Sequence, residues 1–173
     1  IERHYYKILI GSVVLSVSLF FFPQLYGEGY HAIKGIFGGA AQMQLTITLA
    51  LTFIGILILK PIVTSITLAS GGDGGVFAPS LFLGAFLGLL LALFLNTFFN
   101  TNVIPLNFMI LGMAATLSAS IHAPFTAIFL VCGIINDYTL LAPMLVICFI
   151  SKYIAKIIFP YTVYSFNPSL QKI

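Results

Sequence analysis

Ninety-one residues separate Lys60 from Lys152, and only Asp73 and Asp137 among them carry a full charge. A water-soluble fold cannot solvate its surface with two charges over that length. Over the whole chain charged residues reach 6%, against ~25% in soluble proteins. The apolar set is 60%, so the chain is far too hydrophobic to be disordered. The remaining class is an all-α integral membrane protein of several passes. At ~20 residues per span, 173 residues allow about five to seven hydrophobic segments.

The seven basic residues are scattered, which gives no footprint for nucleic acid. Most lie toward the two ends, at Arg3, Lys7, Lys34, Lys152, Lys156 and Lys172, and place both ends on the cytoplasmic side. Cys132 and Cys148 stand in apolar runs without a CxxC spacing and read as small buried hydrophobes. The chain starts with Ile and a charged stretch, and is expected to be a piece of a longer protein with no separate soluble domain.

Hydropathy and breakers divide the chain as follows. Lys7 to Phe22 is a helix ending at Pro23, and Gln24 to Gly29 is a turn. Gly29 to Gly39 is a short helix or re-entrant piece. Gln44 to Leu59 and Ile62 to Ala69 form one helix kinked at Pro61. Further helices follow over Val76 to Phe99, Val103 to Leu117, Pro124 to Ile135 and Leu140 to Phe159. The unequal lengths, with short Gly/Pro-interrupted pieces, predict broken helices that line a cavity at membrane depth. The small residues Gly112, Ala115, Ala119 and Ala123 suit a close helix–helix face.

The richest chemistry lies in Ser70-Gly-Gly-Asp-Gly-Gly-Val-Phe-Ala-Pro79. Four glycines in five residues end one helix, and Val76 opens the next. The first N–H groups of that helix, on Val76, Phe77 and Ala78, have no intrahelical partner. Pro79, without an N–H, suits a first turn. Gly74 and Gly75 let a ligand approach the backbone. Orphan donors at the positive end of the helix dipole suit an anion. Partial charges bind a permeant ion without trapping it, as a lysine would. The Walker pattern fails, since no Gly-Lys-Ser/Thr follows. An ordinary helix start between two spans gives the same spacing. Asp73 is expected at the loop mouth, capping the helix start. An aspartyl protease is disfavoured, because Ser70-Gly71-Gly72-Asp73 lacks the first glycine of Gly-x-Gly-Asp. His122, before Ala123-Pro124, reads as a turn histidine.

Gly75-Val-Phe-Ala-Pro79 resembles the Gly-x-Phe-x-Pro helix start of the CLC family of chloride channels and proton-coupled chloride antiporters. Tyr26-Gly-Glu-Gly-Tyr30, Lys60 to Ser70, Ile110-Leu-Gly-Met-Ala-Ala115, His122-Ala-Pro-Phe-Thr-Ala127 and Asn136-Asp-Tyr138 through Met144 resemble further family motifs in order. The resemblance implies the second of two inverted halves over residues 1–173. It implies a homodimer, a missing N-terminal half as partner, and a membrane setting, expected to be a bacterial inner membrane. It also implies a chloride ion as bound substrate, with no cofactor, no metal and no enzymatic chemistry. The anion ligands it implies are the N–H groups of Val76 and Phe77 and the hydroxyl of Tyr164, with Gly74, Gly75, Ala78 and Pro79 as support. Without it, Tyr164 would read as an interfacial aromatic. The family's gate glutamate motif and its Gly-Ser-Gly-x-Pro loop do not occur in these residues. Gly133 stands where the family often has Glu, which unsettles expectations about charge at that helix end. An unrelated secondary transporter for an organic anion, and a non-transporting scaffold, are the competing readings.

Overall fold

The computed structural model describes residues 2–23, 35, 39, 45–72, 74–162 and 164. Six long helices run through them: α1 (Glu2–Phe21), α2 (Ile47–Ala69), α3 (Phe77–Phe99), α4 (Pro105–Ile121), α5 (Pro124–Ile135) and α6 (Leu141–Ile158). The expected turn at Gln24–Gly29, the motif Tyr26–Tyr30 and Asp73 lie outside the described residues. Of the expected piece Gly29–Gly39, only Gly35, helical, and Gly39, in a turn, are described.

α2, α3 and α6 are long and apolar enough to cross a membrane. α4, α5 and Ile8–Phe21 of α1 are shorter apolar helices. The outward side chains are apolar as well, including Leu51, Leu87, Phe129, Val146 and Ile154. This pattern suits lipid, and the chain is a multi-pass integral membrane protein.

Local chemistry accounts for the boundaries. Pro105 and Pro124 each occupy a first turn, where the missing N–H costs nothing. Asn100, His122 and Asn136 close the ends of α3, α4 and α5 in the left-handed region, with φ of 49°, 55° and 56°. Asparagine tolerates that region better than most residues. Asn96 ties down the α3–α4 connection: its Nδ2 donates to the Val103 carbonyl (2.8 Å), and its Oδ1 accepts from the Val103 N–H (2.7 Å). Asp137 does similar work before α6, accepting from the Thr139 N–H (2.9 Å) and hydroxyl (3.0 Å). Those two donors hold its carboxyl below the ordinary value of 3.8.

α4 is the hub, packing on α3, α5 and α6, while α2 bridges α1 to α3. The core contains Leu81, Phe82, Phe86 and Leu89 of α3, Met109, Met113 and Leu117 of α4, and Ile128 and Val131 of α5. Met144 and Cys148 of α6 complete it, and both cysteines are fully buried as expected. α3 and α4 meet through Gly84, Gly88 and Gly112. A Cβ on Gly88 would collide with the Phe108 carbonyl and lie 3.0 Å from the Met109 nitrogen. A Cβ on Gly112 would lie 3.2 Å from Gly88 Cα. Only glycine permits this approach, which is how small residues hold membrane helices together.

α4 and α6 are joined by a reciprocal pair. The Ser118 hydroxyl donates to the Cys148 carbonyl, and the Ser151 hydroxyl donates to the Ala115 carbonyl, each at 2.8 Å.

Candidate functional site

The site begins where α2 stops. Ser70, Gly71 and Gly72 form a Schellman ending: the Gly72 N–H reaches the Thr67 carbonyl (3.0 Å) and the Gly71 N–H the Leu68 carbonyl (3.1 Å). Gly71 has φ 87°, which a residue with a Cβ adopts at a cost. The exposed glycines Gly74 and Gly75 then lead into α3. A Cβ at Gly75 would meet nothing within 4 Å. The space beside that backbone is open.

α3 starts at Phe77, one residue later than expected, with Val76 ahead of its first turn. No side chain caps this start, and the turn closes with the Ser80 N–H to the Val76 carbonyl (3.2 Å). The N–H groups of Val76, Phe77 and Ala78 precede that first bond, and Pro79 supplies none. The first turn is fixed from behind by buried Ser80, which donates to the Val76 carbonyl (2.8 Å) and contacts the Ser120 hydroxyl (3.2 Å).

Tyr164 comes back to this point from beyond the end of α6. Its ring centroid lies 6.2 Å from that of Phe77, tilted by 43°. Residues 87 positions apart in sequence are therefore neighbours, and Tyr164 is 64% exposed. Of the residues expected at the site, the structure brings together Phe77 and Tyr164, with Val76, Ala78 and Pro79 on the same first turn and Gly74 and Gly75 just before it. Asp73 lies outside the described residues.

A cavity of about 500 Å³ opens beside this turn. Ser120 is in its lining and also touches Ser80. His122, Tyr161, Thr162 and Phe159 complete much of its wall. His122 occupies the turn expected of it, between α4 and α5.

Two features escaped the sequence reading. The Ser80–Ser120 link has a faint signal, since Ser80 is a lone hydroxyl in an apolar run, while Ser120 follows Thr116 and Ser118 in another. Lys60 gives none: α2 runs on through Lys60 and Pro61 as expected, but the side chain is 3% exposed, with its ammonium 4.8 Å from the Phe82 ring centroid. Aromatic faces attract cations in this geometry.

The arrangement offers hydrogen-bond donors with partial charge, a phenol, and open space, in a setting without a nearby described carboxylate. It suits a small anion.

Residues 1–156 match the model of a family described as voltage gated chloride channel. Over 162 residues the chain is 31% identical to the H(+)/Cl(-) exchange transporter ClcA of Vibrio parahaemolyticus, covering 91% of this chain and 33% of that protein. Over 152 residues it is 27% identical to the voltage-gated ClC-type chloride channel ClcB of Escherichia coli strain SMS-3-5, covering 87% of this chain and 35% of that protein. The chain spans about a third of the length of the curated relatives it matches.

Proposed function

We propose, because the chain belongs to the voltage gated chloride channel family, that it supplies the second half of a pathway for chloride across a membrane. The chloride is bound as substrate by the N–H groups of Val76 and Phe77 and by the Tyr164 hydroxyl. Gly74, Gly75, Ala78 and Pro79 shape the approach. The observation that carries this reading is the uncapped first turn of α3 with Tyr164 folded back against Phe77. The N-terminal half of the same protein completes the pathway, and the assembled subunits pair as a homodimer. No covalent step and no cofactor are involved.

Partial charges from the backbone favour the ion over water yet leave it free to depart. A phenol adds a second kind of contact, directional and neutral. Fluorescence or calorimetric titration of the full-length protein tests the assignment. A hydrogen bond to a charged group contributes about 1.5–3 kcal/mol, so Tyr164→Phe should weaken chloride binding by about tenfold to a hundredfold. Gly75→Val places its Cβ in open space, so it should cut flux in liposomes without unfolding the protein. Bromide and nitrate should compete with chloride. Competition by a small carboxylate instead would favour an organic-anion transporter, and unchanged flux in both variants would favour a scaffold.

A further inference from the structure

Lys60 is the one charged side chain on α2, and α3, α4 and α5 carry none. It stands well inside a helix long and apolar enough to cross a membrane, yet it is almost wholly buried. An ammonium at that depth is costly, so it turns to the protein interior and is kept where it has a task. The proposed anion ligands do not include it.

Its ammonium lies over the ring of Phe82 on α3. Phe82 is fully buried and is held in turn. Its ring lies 4.5 Å from that of Phe86, and Phe86 meets Phe53 of α2 edge-on at 5.1 Å. Lys60 and Phe53 are two helical turns apart, so they share one face of α2. That face grips α3 at two points, through a cation and through a ring edge.

Twenty-one residues lie between Lys60 and Phe82. They hold the last turns of α2, the glycine linker and the first turn of α3, with the N–H groups of Val76 and Phe77 among them. The linker cannot fix how the two helices meet, because its glycines leave the backbone many shapes. Pro61 removes a backbone bond from α2 beside Lys60. The Thr64 hydroxyl bonds the Lys60 carbonyl (2.8 Å) across that gap. The end of α2 therefore needs a fixed point on α3, and Lys60 on Phe82 supplies one. Phe82 lies five residues beyond Phe77, roughly 7.5 Å along α3, so a shift there passes directly to the first turn.

We propose that Lys60 is a positioning residue for the anion site. By holding Phe82 it sets where α2 delivers the chain into α3, and so how the Val76 and Phe77 amides point at the ion. This rests on the chloride reading above, in which those amides are ligands.

The test is calorimetric titration of chloride into the full-length protein, with circular dichroism and gel filtration fixing the folded fraction. Lys60→Met keeps a long apolar chain and removes the charge. Phe82→Leu keeps an apolar filling and removes the ring face. Each should weaken chloride binding by about twofold to thirtyfold per folded molecule. The double variant should be no weaker than the worse single one, since both break the same contact. Lys60→Arg leaves a cation for the ring and should keep most of the affinity. Variants that lose folded protein but bind chloride normally once folded would make the contact purely structural and overturn the proposal. If Lys60→Met does not fold, Phe82→Leu decides by the same criterion. A loss in Lys60→Met with full affinity in Phe82→Leu would assign the effect to the charge itself and overturn the positioning role. Tyr164→Phe is titrated alongside. Weakened binding there, with none in Lys60→Met or Phe82→Leu, removes this proposal and leaves the chloride site standing. Unaltered protein that binds no chloride removes both.

Discussion

Removing the hydroxyls that cross between α4 and α6 should loosen the helix pair by a calculable amount. Ser118 reaches the Cys148 carbonyl and Ser151 the Ala115 carbonyl, both at 2.8 Å. The two bonds lie one turn apart and run in opposite directions, as an antiparallel pair requires. Each accepting carbonyl sits within a helix and keeps its own backbone bond when the serine is lost. Neither becomes an orphan, so the large desolvation cost of a bare carbonyl does not arise. Interhelical hydrogen bonds of this type in membranes average about 0.6 kcal/mol and reach about 1.7. Ser118 is fully buried, so Ser118→Ala should fall in the upper part of that range. Ser151 is half-buried, and Ser151→Ala should fall in the lower part. The double variant should lose about 1–3 kcal/mol. Equilibrium unfolding in mixed micelles, arranged as a double-mutant cycle, measures the two costs and their coupling. Ser151→Thr keeps a hydroxyl and should recover most of the loss at that position. A double variant as stable as the parent, within about 0.3 kcal/mol, would show that these two bonds do not hold α4 to α6.

Three further outcomes follow from other parts of the molecule. Gly88→Ala forces a Cβ against the Phe108 carbonyl, so it should destabilise by about 1–3 kcal/mol; Gly75→Ala, in open space, should be near neutral in the same unfolding assay. Asp137 has a depressed carboxyl because Thr139 donates to its ionised form. Its contribution is therefore present above the ordinary value of 3.8 and lost as pH falls through the lowered one. The gap in unfolding midpoint between parent and Asp137→Ala should narrow as the pH is taken down through the ordinary value of 3.8 and below it. The chain of 173 residues on its own should give no selective chloride flux in liposomes, because the proposed pathway needs a second half and a gate motif that these residues do not contain. Selective flux from that chain would overturn the division of the pathway into two halves.

Much of the helical layout was readable because breakers and charges are so sparse. Pro124–Ile135 is bounded as expected, since a first-turn proline and Asn136 mark its ends. The break between α2 and α3 was readable because four closely spaced glycines leave few alternatives to a helix end followed by a helix start. The continuous helix across Lys60 and Pro61 was readable too, and α2 runs through both. In membranes neighbouring helices support such prolines. The partners of Lys60 and Ser118 come from other helices, Phe82 and Cys148. Local periodicity carries no trace of a neighbour 22 or 30 residues away. Gly112 was readable as a small-residue face, but its partners Gly84 and Gly88 depend on how α3 crosses α4. The approach of Tyr164 to Phe77 is tertiary in the same sense, and only the family resemblance pointed to it.

On the proposed reading, the amides opening α3 and the Tyr164 hydroxyl hold one anion between them. Bromide scatters anomalously and replaces chloride, so crystals of the full-length protein grown in bromide locate the ion directly. An anomalous peak is expected within hydrogen-bonding distance of the Val76 and Phe77 nitrogens and the Tyr164 Oη, with its loss or marked weakening in Tyr164→Ala. A well-occupied peak elsewhere in the subunit, with none at the start of α3, would contradict it.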